Sequence, residues 1–367
     1  MQFSIEREEI VKHLTTVCGV VERRHTLPIL FNVLLVVENS QLSLTATDLE
    51  VEIKTTLEVQ QAETGKITVA ARKFLDICRM LPSRAILEIQ HENRQFYVRS
   101  EHSRFVLGTL PAEDFPGTDN LDKAAELELT QIELKRLLHQ TVFCMAHQDV
   151  RYYLNGLLIE LEEKAIYAAA TDGHRLAVAS LNKESLQEGE KIQAIIPRKA
   201  VLELARLLEE SDELVRLKFG ANQMGAEFQG LSFFAKLIDG QFPDYRRVIP
   251  IGCEKQFIIN REAFKQALAR VNILTNDKFR GVRLGLSNSK LQAIVTNLEQ
   301  ESAEEELEIN YEGDEFEIAF NNSYLIEILS IIGTEKVKLE FTDANNSCLI
   351  TPVGGVGGKY VIMPMRL

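Results

Sequence analysis

A few groups of residues in this chain have types and spacings that could do chemistry. Gly354-Gly355-Val356-Gly357-Gly358-Lys359 suggests a phosphate loop, where backbone N–H groups point at an anion. That pattern needs Gly where Val353 stands and Ser or Thr where Tyr360 stands, and too few residues follow for the helix that completes such a site. The segment therefore reads as a glycine hairpin or loop. His174, in Thr171-Asp172-Gly173-His174-Arg175-Leu176, is of the type that serves as a general base, but no local motif sets a Ser or Cys nucleophile beside it. It reads as a turn histidine with a structural or docking role. The acidic run Glu299-Gln300-Glu301-Ser302-Ala303-Glu304-Glu305-Glu306 could attract a metal, yet a flexible carboxylate row without Gly turns or His reads as a solvated face or one half of an ion-pair seam. Cys18, Cys78, Cys144, Cys253 and Cys348 are odd in number, scattered and free of any C-x-x-C pair, so reduced and mostly buried thiols are expected. With no H-E-x-x-H or EF-hand pattern either, an enzyme is left without an active site, and no metal or cofactor is expected.

The elements that would position these residues repeat three times. Leu-Ser-Leu-Thr-Ala-Thr-Asp ending at Asp48 recurs as Ile-Tyr-Ala-Ala-Ala-Thr-Asp ending at Asp172 and as Leu-Gln-Ala-Ile-Val-Thr-Asn ending at Asn297. After each comes a helix-like block, Ala71-Arg72-Lys73, then Pro197-Arg198-Lys199, then Asn321-Asn322-Ser323; before each stands Asn32-Val33-Leu34-Leu35, Asn155-Gly156-Leu157-Leu158 or, more loosely, Arg280-Gly281-Val282-Arg283. Three blocks in one order at a period of about 124 residues make a triplicated domain the simplest account. Opening helices are expected over Ile5 to Val20, Leu129 to Met145 and Ile259 to Leu274, with apolar residues at three- and four-residue spacing such as Ile10, Leu14 and Val17. Strands alternate or run apolar, as in Ile86-Leu87-Glu88-Ile89. Two helices on an antiparallel sheet per unit give an α+β fold of three like domains, 1–122, 123–252 and 253–367, joined tightly enough to hold a fixed orientation.

The 367 residues, 45% apolar and 26% charged, describe a globular chain, and no uncharged run approaches the roughly 18 residues of a membrane helix. A cytoplasmic protein with no membrane partner is expected. The net charge of −13 argues against a nucleic-acid partner only if it is spread evenly. It is not: Arg72, Lys73, Arg79, Lys135, Arg136, Arg198, Lys199, Arg206, Lys265 and Arg270 cluster on the predicted helices, while strands and loops are acidic. If the helices share one side, that side suits loose, sequence-independent phosphate contact; taken alone, the same charges describe solvated helix faces equally well.

Several longer motifs are distinctive: Ala146-His147-Gln148-Asp149-Val150-Arg151-Tyr152-Tyr153-Leu154-Asn155-Gly156, Ala170-Thr171-Asp172-Gly173-His174-Arg175-Leu176-Ala177, Phe242-Pro243-Asp244-Tyr245-Arg246-Arg247-Val248 and Tyr360-Val361-Ile362-Met363-Pro364-Met365-Arg366-Leu367. With Arg24, Thr26-Leu27-Pro28-Ile29-Leu30 and Lys278-Phe279-Arg280-Gly281-Val282-Arg283 they closely resemble the bacterial sliding-clamp family, the beta subunit of DNA polymerase III, over essentially the whole chain. The resemblance implies the three-domain DNA-clamp fold and a head-to-tail homodimeric ring, helices lining a hole around double-stranded DNA. It implies DNA contacts at Arg24, Arg72, Gln148, Tyr152, Tyr153 and Lys199, and a cleft for partner peptides at Leu154, Thr171, Gly173, His174, Arg175, Leu176, Pro243, Arg247, Val248, Val361, Met363, Pro364, Met365, Arg366 and Leu367. Implied partners are the DNA polymerase III alpha subunit, the clamp-loader delta subunit and other proteins with a clamp-binding motif. The ring joint would set Phe105 and Leu107 against Ile273 and Leu274, with Arg94 and Arg104 facing Glu299, Glu301 and Glu305. His25 stands where the family often has Pro, and Asn322-Ser323 replaces the Arg-Lys pair in the third repeat, so DNA contact need not be equal around the ring. A peptide-docking scaffold that does not encircle DNA is the alternative.

Overall fold

The computed structural model describes residues 1–22, 26–117, 121, 125–184, 190–275, 280–355 and 357–366. Six helices, each directly continuing a strand, punctuate it. Strand Gln2–Glu6 runs into α1 (Arg7–Val17), Gly65–Ala70 into α2 (Ala71–Met80), and Ala125–Thr130 into α3 (Gln131–His139). Ile192–Pro197 then leads into α4 (Arg198–Leu207), Lys255–Asn260 into α5 (Arg261–Val271), and Phe316–Asn321 into α6 (Asn322–Ile331). The expected opening helices therefore start too early. Phe3 and Ile5 are buried strand residues that share an apolar phase with Ile10, Leu14 and Val17, the buried stripe of α1. The change of period falls at a polar residue. Asn260 marks it best: its side-chain oxygen accepts from Ala263 N–H (2.9 Å) and caps α5.

The chain divides into two compact units, one of residues 1–132 with 202–237, the other of 133–201 with 238–367. The first holds a thirteen-stranded antiparallel sheet in which Leu231–Lys236 pairs with Val51–Glu58, Leu231 opposite Thr55. Two of its strands, Gln95–Ser100 and Ser103–Leu110, form a hairpin in which Phe96 lies opposite Leu107 and Val98 opposite Phe105. Beyond that hairpin, Ser103–Leu110 touches another described strand only at Thr109 and Leu110, so Ser103 to Gly108 keep an open edge.

The second unit holds an eight-stranded and a four-stranded sheet. In the eight-stranded one, Arg175–Asn182 pairs with Lys359–Ile362, setting Leu176 opposite Val361 and Val178 opposite Lys359. In each unit a β-pairing thus splices strands of the middle repeat to strands of a neighbouring one. In the four-stranded sheet Ser302–Glu308 pairs only with Lys290–Thr296, leaving a second open edge.

The repeated blocks recur as one device. At the start of each second helix a polar side chain reaches the segment of its paired first helix. Arg72 donates to Val21 O (2.5 Å), Arg198 to Met145 O (3.0 Å), and Asn322 to Leu268 O (3.0 Å) and to Asn272 Oδ1 (2.9 Å). Asn322-Ser323 therefore keeps the structural half of the lost Arg-Lys pair. Cys18, Cys78, Cys144 and Cys348 are buried, Cys253 is half-buried, and none is paired. Burial pushes the Cys18 thiol up to about 11 and that of Cys78 up to about 12, far from thiolate reactivity. No helix among the described residues is long and apolar enough to cross a membrane.

Candidate functional site

One face of the eight-stranded sheet carries the candidate site. Strand registers place side chains in cross-strand rows there: Gln193, Glu160, Tyr167 and Ser180; then Ile195, Leu158, Ala169 and Val178; then Thr171, Leu176, Val361 and Leu349. Across this face lies the segment from Phe242 to Val248, ending in the 3-10 turn Tyr245–Val248. Phe242 and Tyr245 pack into one cluster with Leu154, Leu158, Leu176, Val178, Leu349 and Val361. Leu154, Leu176 and Val361 are each at most 2% exposed, so they are the floor of the site, not an open wall. The exposed groups over that floor are Pro243, Arg247, Val248, His174, Met363, Met365 and Arg366, with Pro364 half-buried among them.

The turn from Thr171 to Leu176 is locked from within. Thr171 Oγ1 donates to Arg175 O (2.6 Å), and Asp172 Oδ1 accepts from the N–H groups of His174 (2.9 Å) and Arg175 (3.0 Å). Gly173 has φ +90°, and a Cβ there would come within 2.8 Å of the Arg151 guanidinium. Arg175 is the hub. Its side chain is 9% exposed, paired with Asp172 (3.0 Å) and Glu327 (2.6 Å), donates to Phe143 O (2.8 Å), and lies over the rings of Tyr324 (4.1 Å) and Phe143 (5.3 Å). Such a group holds the site's shape and has little left for a ligand. The terminal segment docks through Met363 N–H to His174 O (2.9 Å) and Met365 N–H to Ala319 O (2.7 Å). Beside it a depression of about 360 Å³ is lined by His174, Asn321, Tyr324 and Met363 to Arg366. Leu367 lies outside the described residues.

The loop before Leu154 is equally tied. Asn155 accepts from Asp149 N–H (2.9 Å) and donates to Asp149 O (2.8 Å), while Arg151 grips the Asp149 carboxylate at 2.8 and 3.0 Å. The hydrogen bonds from Arg151 hold Asp149 well below the usual carboxylate range, at about 2. Tyr152 and Tyr153 sit on a 3-10 turn, not a strand. Tyr152 is 57% exposed and Tyr153 packs against the core cluster, so the two residues are settled as one outward and one inward. Gln148 is exposed with φ +57°, on the same loop as Tyr152. Lys199 is half-buried on the first turn of α4. Arg72 is exposed on α2 in the other unit, and Arg24 lies outside the described residues.

Of the joint residues, Phe105 and Leu107 are half-buried on the open-edged strand of the first unit, with Arg104 exposed between its neighbours and Arg94 exposed at φ +60° in the preceding hairpin turn. In the second unit Ile273 is 80% exposed and Leu274 half-buried on the 3-10 turn after α5. Within the chain, Arg270 holds both oxygens of Glu305 at 2.7 Å. Glu301 and the N–H of Glu299 bond Asn297. Of the acidic run, Ser302 to Glu306 belong to the edge strand Ser302–Glu308, whose half-buried residues alternate with exposed ones and which packs near α5, while Glu299 to Glu301 form the turn before it. Gly354, Gly355, Gly357 and Gly358 fall between the antiparallel strands Cys348–Pro352 and Lys359–Ile362, and His174 is exposed with its backbone in use. No cluster among the described residues could hold a metal.

Sequence reasoning missed Tyr324, Glu160 and Arg151. Tyr324 stands where the first repeat has the fully buried Phe74 and the second has Ala200, so its position in the repeat gave no signal of a contact with Arg175.

Comparison with known proteins covers the whole chain. Family profiles for the DNA polymerase III beta subunit match in succession: its N-terminal domain over residues 1–122, its central domain over 128–244 and its C-terminal domain over 246–366. A beta sliding clamp from Pseudomonas putida is 47% identical over 368 residues, and one from Escherichia coli 46% identical over 368 residues, each covering 100% of both chains. The crystal structure of the DNA polymerase III subunit beta from Pseudomonas aeruginosa superposes with a TM-score of 0.97 at 47% identity, covering 100% of both chains. The architecture is the three-domain DNA-clamp fold of those structures.

Proposed function

Because the chain belongs to the DNA polymerase III beta subunit family, the sliding clamps, we propose that two copies close head to tail into a ring around double-stranded DNA. The ring tethers DNA polymerase and other replication and repair proteins in the cytoplasm. Each copy would contribute three domains, 1–122, 123–252 and 253–367. The observation that carries the ring is the pair of open strand edges. Ser103 to Gly108 lies beside Arg99, Arg104 and Arg94, and Ser302–Glu308 presents Glu304, Glu306 and Glu308. Open edges are liabilities unless covered, and two of opposite charge suit each other and not themselves. Phe105 and Leu107 would meet Ile273 and Leu274 there.

Arg24, Arg72, Gln148, Tyr152 and Lys199 would contact DNA, with Tyr153 behind Tyr152. Diffuse phosphate contact lets a ring slide, whereas base-edge contacts would stop it at particular sequences. Retention then comes from closure, and a docked polymerase stays at high effective concentration near its substrate. No catalytic step is assigned to the chain. Peptides of the DNA polymerase III alpha subunit and the clamp-loader delta subunit would enter over Leu176 and Val361, between the terminal segment and Arg247 and Val248. Methionines 363 and 365 give that surface adaptability.

The test is retention on nicked circular DNA at raised salt, after loading with a clamp loader and ATP, and again after the circle is cut. Loss only from cut DNA is expected. Equal behaviour on both forms would leave a docking scaffold that does not encircle DNA.

A further inference from the structure

Glu160 has a covalent neighbourhood that predicts water and a spatial one that excludes it. Its side chain is 0% exposed, yet it is matched on every side. One carboxylate oxygen meets Lys191 Nζ (2.6 Å) and accepts from Gln193 Nε2 (2.6 Å); the other meets Arg246 Nη2 (2.5 Å) and accepts from the Tyr245 hydroxyl (2.8 Å). Arg246 also pairs with Glu162 (2.9 Å) and lies over the rings of Tyr245 (4.8 Å) and Tyr167 (5.0 Å). Two of these partners, Tyr245 and Arg246, belong to the crossing segment, whose next residues are Arg247 and Val248.

A buried charge cluster is a poor way to gain stability, since apolar residues of equal volume often do as well, but it is demanding about geometry. Here it fastens a segment that otherwise rests on the sheet mainly through non-directional contacts of Phe242 and Tyr245. We propose that Glu160 is a positioning residue for the partner-peptide cleft: by tethering Tyr245 and Arg246 it sets where Pro243, Arg247 and Val248 stand above Leu176 and Val361. Glu160 touches none of the cleft's exposed groups, and it acts from two side-chain rows away on the same sheet face. This rests on the cleft reading above.

The experiment uses the full-length chain and a fluorescein-labelled peptide from the DNA polymerase III alpha subunit. Glu160→Gln should weaken peptide binding about tenfold, roughly 1.4 kcal/mol. It should also speed amide exchange in residues 242–249 while exchange in α5 and the mass of the dimer stay unchanged. Tyr245→Phe, which removes one hydrogen bond and no charge, should act in the same direction and more weakly. Replacing Arg246 by Met, which removes the other charged end of the tether, should also weaken binding and speed exchange in residues 242–249, and wild-type exchange there would count against the tether. Wild-type affinity with wild-type exchange in Glu160→Gln would overturn the proposal, as would exchange raised uniformly across the chain. Should the unaltered protein bind no peptide, the cleft reading fails by itself, and local exchange in residues 242–249 of Glu160→Gln still decides whether Glu160 holds the segment.

Discussion

Around Leu176 and Val361 most polar groups already have partners inside the chain, whereas around Ile273 an apolar side chain 80% exposed stands beside a strand with one bare edge. Both regions lie in the second unit. The first is preorganised: a ligand meets a floor and walls fixed beforehand by Arg175, Asp172, Asn155 and the docked terminal segment, and little ordering remains to oppose binding. The second keeps an open strand edge, which the proposed ring would cover with a strand of a second copy. The two constructions suit the roles proposed for them, a surface that exchanges partners and one that a single permanent partner covers.

The contrast can be broken most severely at the joint. Ile273→Ala with Leu274→Ala should give folded monomers by sedimentation, since the exposed Ile273 would be the apolar centre of the proposed joint; an unchanged mass would remove the distinction. Deleting residues 363–367 should do the reverse, abolishing binding of the alpha-subunit peptide while the dimer mass persists. A truncated chain that still stimulated polymerase would sink the cleft. Arg175→Met should cost about 3 kcal/mol in urea unfolding, because Asp172 Oδ2 and the Phe143 carbonyl lose their donor in a mostly buried place, with no change in the dimer.

Acid should separate the regions more gently. Glu160 is pushed up by burial but pulled further down by Arg246, Lys191, Gln193 and Tyr245, to about 2 against an ordinary 4.5. Its contribution is therefore complete above about pH 4.5 and is lost as pH falls towards 2. Peptide affinity should be flat from pH 8 to about 5 and decline below that, as a titration of fluorescence anisotropy would show. The smallest effect is expected at Arg270 and Glu305. Their pair is bidentate but solvent-exposed, so Glu305→Gln should leave dimer stability nearly unchanged, read from dilution-dependent dissociation.

Much of this was legible from residue spacing. The repeated blocks pointed to the second helix of each repeat and apolar spacing to the first, and the fold class follows from them. What spacing could not show is which side of a strand is covered. Glu160 and Glu162 alternate with apolar residues as on any solvated strand, and only Phe242 to Arg246, some eighty residues on, closes over Glu160. Arg72 and Arg198 read as free surface cations for the same reason: the carbonyls they bond, at Val21 and Met145, belong to other elements. The early helix starts arose because strand and helix share apolar residues at the junction, as at Ile5 and Ile10.

The pairing of Arg175–Asn182 with Lys359–Ile362 joins stretches of chain far apart in sequence, and the floor of the cleft is made of both. Closing so long a loop is among the slower events in folding, and strands emerge from the ribosome in order. A chain still being synthesised therefore has no cleft until residues 359–362 have emerged and found their place. With partners bound there as proposed, half-made protein would not capture them, and competence to bind would double as a signal that this sheet is finished.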